Sequence, residues 1–72
     1  MSEEQIEIKI GKRIKELRRV LGISQEELSF RSGVHRTYIA SLEVGKRNIS
    51  IVTLEKIVKA LEISLYDFFN FQ

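Results

Sequence analysis

Seventy-two residues make room for one small domain, and with no cysteine and a single histidine neither a disulfide nor a thiolate or multi-histidine metal site can hold it together. Hydrophobic residues at 43% and charged residues at 31% suit a folded globular chain rather than a disordered one, and no apolar run nears the ~20 residues a membrane helix needs. The net charge of +2 is unevenly spread: residues 1–8 carry three acids and no base, residues 9–47 carry ten Lys or Arg against four Glu, and the remainder is close to neutral. The basic surplus is therefore central, where it serves either a phosphate-facing surface or a solvated helix face.

There is no proline, no Gly/Ser-rich linker and no internal repeat, so one domain over residues 1–72 is expected, with residues 1–5 as a flexible tail. Ile6, Ile10, Ile14, Leu17 and Leu21 recur at steps of four and three and form one helical stripe, with Lys12, Arg13, Lys15, Arg18 and Arg19 on the other sides. Ile6, Ile8 and Ile10 also alternate as in a strand, but the pattern turns helical at once and no partner strand follows. Gly22 ends this helix as a left-handed cap. Ser24-Gln25-Glu26-Glu27 has the form of a capping box, with serine at the N-cap and Glu three residues on. The second helix is short and stops near Ser32, because Gly33 supplies the positive φ of a tight turn. A third helix runs from about His35 to Val44, with Val34, Ile39 and Leu42 facing inward. Lys46-Arg47-Asn48-Ile49 is a loop. Ser50 caps a fourth helix whose inner face is Ile51, Leu54, Ile57, Val58 and Leu61, and Ser64-Leu65-Tyr66-Asp67 repeats the capping pattern to open a short fifth helix to the terminus. The expected fold class is all-α: five short helices in a compact bundle with brief connections.

The chemistry concentrates between Gln25 and Leu42. Two short helices joined by a glycine turn cross steeply, as in a helix-turn-helix. Such a crossing needs a small residue about four positions before the turn glycine, which is Ser29. It needs apolar residues that lock the two helices, which are Leu28, Val34, Ile39 and Leu42. It also needs a polar outer face on the second helix, which His35, Arg36, Thr37, Tyr38 and Ser41 provide. The first turn of such a helix enters the DNA major groove. There Arg36 can donate two bonds to guanine O6 and N7, and Thr37 can offer its methyl to thymine or its hydroxyl to a base or phosphate. His35 is placed to cap the helix or to meet a phosphate.

Arg13-Ile14-Lys15-Glu16-Leu17-Arg18, Ser24-Gln25-Glu26-Glu27-Leu28, Ser32-Gly33-Val34 and Ile39-Ala40-Ser41-Leu42-Glu43 resemble the Cro/C1-type helix-turn-helix family, with its phage repressors, over about Ile10 to Phe69. Within it, His35-Arg36-Thr37-Tyr38-Ile39 followed by Gly45-Lys46-Arg47-Asn48-Ile49-Ser50 is most similar to the controller proteins of restriction–modification systems. The resemblance implies a lambda-repressor-like domain with the helix-turn-helix at helices two and three. It implies that Gln25 hydrogen-bonds a backbone phosphate, that Tyr38 meets phosphate or stacks on sugar and thymine, and that Lys46, Arg47 and Asn48 lie along the DNA backbone. Arg36, Thr37 and Tyr38 are thus the expected base contacts. Gln25, Ser41, Lys46, Arg47, Asn48 and His35 are the expected backbone contacts. The resemblance also implies an ion pair between Arg13 and Glu43 that orients the reading helix, leaving Lys12, Arg18 and Arg19 as a nonspecific field.

Four of the six aromatics, Tyr66, Phe68, Phe69 and Phe71, fall in the last seven residues. Either Leu65, Tyr66, Phe68, Phe69 and Phe71 form a twofold homodimer interface that sets two reading helices about 34 Å apart, or Leu65, Phe68 and Phe69 complete the monomer core. The expected function is sequence-specific regulation of transcription on double-stranded DNA, as a restriction–modification controller. The alternatives are a free-standing phage-type or antitoxin-like repressor and a protein-interaction module without DNA binding. The sequence carries no nucleophile–base pair, no phosphate-cradling glycine loop and no metal cluster, so an enzyme, a cofactor and a small-molecule ligand are not expected. An acidic start without an apolar core is no secretory signal, which points to the cytoplasm.

Overall fold

Serine side chains set where the helices begin. In the computed structural model, which describes residues 5–71, the hydroxyls of Ser24, Ser50 and Ser64 each accept the amide three residues on, from Glu27, Thr53 and Asp67 at 3.0, 3.1 and 3.0 Å. Each bond satisfies one of the four amides that a helix start leaves without an internal partner. The helices are α1 (Ile6–Leu21), α2 (Gln25–Ser32), α3 (Arg36–Glu43), α4 (Ile51–Ala60) and α5 (Leu65–Phe68). Among the described residues there is no strand, and the alternating Ile6, Ile8 and Ile10 lie within α1. The expected flexible tail lies, for residues 1–4, outside the described residues, as does Gln72. Only half of the first capping box forms. The Glu27 carboxylate turns away from Ser24 to accept from Arg31 Nε at 2.8 Å, one turn along the same helix.

α3 packs on α1 and α2, α2 also packs on α4, and α5 packs on α4. Between them lies one core in which Ile14, Leu28, Ile39, Ile57 and Phe68 are wholly buried. Each such side chain is worth about 1.5–3 kcal/mol of burial. Two residues of the expected inner stripes do not join it. Ile6 is 54% and Ile51 72% exposed, and each is the first residue of its helix.

α1 approaches α3 more closely than side chains would allow. Gly11 is buried on α1, and a Cβ at that position would run into the Leu42 carbonyl oxygen, with the Glu43 carbonyl group 3.1 Å away. The two backbones touch there. The contact sets the depth at which α3 lies against the rest of the molecule, and so how far its opposite face projects.

Candidate nucleic-acid interface

The turn between α2 and α3 is closed by Gly33, whose φ of +74° lies in the left-handed region, and by the Ser32 hydroxyl, which accepts the Val34 amide at 3.1 Å. Leu28, Val34, Ile39 and Leu42 are all buried, so both helices are locked from inside. The solvent face of α3 is thereby committed outward. His35 caps α3, its Nδ1 accepting the Thr37 amide at 3.3 Å and lying 2.9 Å from the Thr37 hydroxyl. Arg36 and Thr37 are exposed on the first turn, where the unpaired amides and the helix dipole favour an anion.

The loop after α3 is tied back to that first turn. The Tyr38 hydroxyl donates to the Asn48 carbonyl at 2.8 Å, and the Arg47 guanidinium lies 5.1 Å from the centre of the Tyr38 ring, within cation–π range. Tyr38 therefore sits half-buried beneath the loop, whereas Lys46, Arg47 and Asn48 are exposed. Ser41 donates to the Tyr38 carbonyl at 2.8 Å and is half-buried. Gly45 makes the turn possible twice over. Its φ is +75°, and a Cβ there would lie 2.8 Å from an Ile8 side-chain carbon, so the loop rests against α1. A polar groove of about 140 Å³ lies between Gln5, Glu7 and the Gly45–Asn48 loop. Glu7 shares that groove, and its carboxylate makes it a poor phosphate pocket.

One expected contact is corrected. Arg13 does not pair with Glu43. The partner is Arg18, whose Nε and Nη2 donate to the two carboxylate oxygens of Glu43 at 2.8 and 2.9 Å, while Nη1 donates to the Ile23 carbonyl at 3.0 Å. The Glu43 side chain is only 3% exposed, and hydrogen bonding to it raises the Arg18 guanidinium above its ordinary pKa. Gln25 joins the same carboxylate, its Nε2 donating to Oε1 at 3.1 Å. The Gln25 amide keeps a second N–H and its carbonyl oxygen for an outside partner. Three helices thus meet on one buried acid. The sequence carried one signal for this, since Ile10, Ile14 and Arg18 follow each other at steps of four, and Arg18 continues the row that enters the core. Arg13 lies on the flank of that row and turns to the chain end instead. It donates from Nε to the Phe68 carbonyl at 2.8 Å and from Nη2 to the Asp67 carbonyl at 2.7 Å, and it pairs with Glu16 at 2.9 Å.

The tail aromatics divide. Of the two expectations for Phe68, the dimer interface is corrected and the monomer core holds, since its side chain is wholly buried among the core residues of its own chain. Tyr66, Phe69 and Leu65 are 84%, 43% and 38% exposed. Phe71 lies 6.2 Å from Phe69 and 6.4 Å from Phe68, ring centre to ring centre. Among the described residues no group of three His, Cys, Asp or Glu side chains is placed to hold a metal, and no helix is long and apolar enough to cross a membrane.

Residues 14–68, from the middle of α1 to the end of α5, match the helix-turn-helix family model. The chain belongs to the helix-turn-helix family. This helix-turn-helix protein is 42% identical over 66 residues to control protein C.MunI of a Mycoplasma species, with 90% of this chain and 89% of that protein covered. It is 39% identical over 67 residues to control protein C.BamHI of Bacillus amyloliquefaciens, covering 92% and 83%. Among solved structures it is similar to the restriction-modification controller protein C.AhdI from Aeromonas hydrophila, with a TM-score of 0.85 at 42% identity over 89% of this chain and 97% of that one. It is likewise similar to C.Esp1396I, solved as a tetramer in complex with its natural 35 base-pair operator, with a TM-score of 0.87 at 40% identity over 93% and 88%. The resemblance read from the residues, to this family and within it to controller proteins, is borne out.

Proposed function

We propose that the protein is a sequence-specific double-stranded DNA-binding regulator of transcription, a restriction–modification controller that binds a pseudo-palindromic operator as a homodimer. The observation that carries this reading is the first turn of α3. Arg36 and Thr37 stand exposed there, on a helix held from behind by Arg18, Gln25 and Glu43. That is the arrangement by which a recognition helix enters the major groove. The similarity to controller proteins, one of them solved on its operator, supports it. The protein acts by binding, catalyses nothing, and works in the cytoplasm as one domain over residues 1–72.

Arg36 and Thr37 read bases. Tyr38 joins them at the edge of its ring, since its hydroxyl is engaged by Asn48. Gln25, His35, Ser41, Lys46, Arg47 and Asn48 line the sugar–phosphate backbone on either side. Arg36→Ala is expected to cost about 1–3 kcal/mol on the specific operator and to relax base preference at one position. An equal loss on all DNA would contradict base reading. Arg47→Ala is expected to weaken binding on every sequence and to lower the slope of log affinity against log salt by about one phosphate contact. An unchanged slope would remove Arg47 from the backbone.

Two copies associate through the exposed Leu65, Tyr66 and Phe69, with Phe71 at the margin. The tetrameric assembly of C.Esp1396I supports a self-associating surface. Selection of bound fragments from a random DNA pool tests the whole reading. Enriched inverted repeats with half-sites about one helical turn apart are expected, and no enrichment at all rejects it.

A further inference from the structure

α5 has four residues, too few to hold a helical shape unaided. Its last carbonyls have no partner within the helix. Yet it carries Leu65 and Tyr66 and is followed directly by Phe69, so its orientation decides where the exposed apolar side chains of the chain end point. Phe68, wholly buried, fixes how deep α5 sits. A single buried side chain leaves the segment free to roll about it. The Ser64 hydroxyl holds the first turn, and Arg13 holds the last.

The grip of Arg13 has the geometry to stop the roll. Nε and Nη2 are the two parallel donors of the guanidinium fork, and they reach two successive carbonyls, Phe68 and Asp67, at 2.8 and 2.7 Å. These are charge-assisted bonds to a helix C-terminus, where a cation is favoured. The third side of the fork is held by Glu16 at 2.9 Å, and the Arg13 side chain is only 15% exposed. A guanidinium that springs from α1, is braced there by Glu16 and grips two successive carbonyls of α5 transmits the orientation of α1 to α5.

We infer that Arg13 is the positioning residue of the self-association surface: through the Asp67 and Phe68 carbonyls it fixes the angle at which Leu65, Tyr66 and Phe69 meet the same residues of a second copy. This rests on the homodimer reading given above. In a twofold interface every residue acts twice, so a tilt of α5 misplaces both halves.

The test compares the wild-type protein with Arg13→Met, which keeps the stem but loses the donors, and with Arg13→Lys, which keeps the charge but loses the fork. Sedimentation across a concentration series gives the dimer dissociation constant, and far-UV circular dichroism reports helix content. Arg13→Met is expected to keep its helices and to dissociate about tenfold more readily, the equivalent of one charge-assisted hydrogen bond. Arg13→Lys is expected to fall between. In a Phe69→Ala background the same Arg13→Met change is expected to cost much less, because the side chain it positions is gone. A merely structural role would give the same loss in both backgrounds, and that result overturns the inference. So does Arg13→Met associating like wild type. If Arg13→Met does not fold, Arg13→Lys decides, and wild-type association by Arg13→Lys overturns the inference. A wild-type protein that stays monomeric at all concentrations instead overturns the dimer reading itself.

Discussion

Arg18→Met is expected to lower the stability of the folded chain by about 3 kcal/mol. The change strands the Glu43 carboxylate, whose side chain is 3% exposed, with the Gln25 amide as its remaining hydrogen-bond donor. A buried charge without its counter-charge retains its desolvation cost and loses the attraction that offset it. A chain of 72 residues has roughly 4–11 kcal/mol of stability to lose, so the variant gives up a large share. The melting midpoint should fall by roughly 12–24 °C, measured by thermal unfolding at fixed concentration. Replacing both partners, as Arg18→Met with Glu43→Leu, should restore most of the loss, because paired apolar side chains of similar volume do not need the compensation. Arg13→Met in the same assay should cost less, since it leaves behind neutral carbonyls rather than a buried charge. The reverse ranking would return the role to Arg13. Alkaline conditions should not expose the difference. A raised guanidinium pKa keeps its stabilising charge until the pH climbs through that raised value, beyond the range in which the protein is studied.

Gly11→Ala is expected to destabilise by about 2–3 kcal/mol, against the ordinary preference of helices for alanine. At an open helical position the same change would gain about 1 kcal/mol. At Gly11 the new methyl would meet the Leu42 carbonyl oxygen and the neighbouring Glu43 carbonyl group. Backbone atoms cannot rotate away as a side chain can, so α3 must shift, with the usual penalty of overpacking. Leu42 and Glu43 end the helix whose start carries Arg36 and Thr37. The shift therefore also displaces the first turn of α3, the proposed reading surface, and operator affinity should fall at temperatures where the variant is still folded. Urea unfolding and binding titrations on one preparation test this. A stabilised or neutral variant would show that α1 and α3 do not meet there.

The helices and the turn between α2 and α3 were legible because their signals are local. Ser24, Ser50 and Ser64 announce helix starts through bonds to amides three residues away, and Gly33 marks the turn through its own φ. The inward residues Leu28, Val34, Ile39 and Leu42 followed from spacing alone, and they are buried. The exposed Arg36 and Thr37 followed from the same helical phase. Gly11 stood in plain sight as a lone glycine within a helical stripe, a sign of close packing, but nothing in the sequence said against what.

By itself the sequence determined five helices, their caps, and which face of α3 is polar, since such features depend on atoms within about four residues of one another. Only the tertiary structure decided that Arg18 rather than Arg13 meets Glu43, that Phe68 turns into its own core while Tyr66 stays outside, and that Tyr38 holds the Arg47 loop. Each of those choices depends on how one helix is rolled and crossed against another. That is set by the packing of the whole core at once, and two arginines five positions apart on one helix look alike until the partner helix is in place.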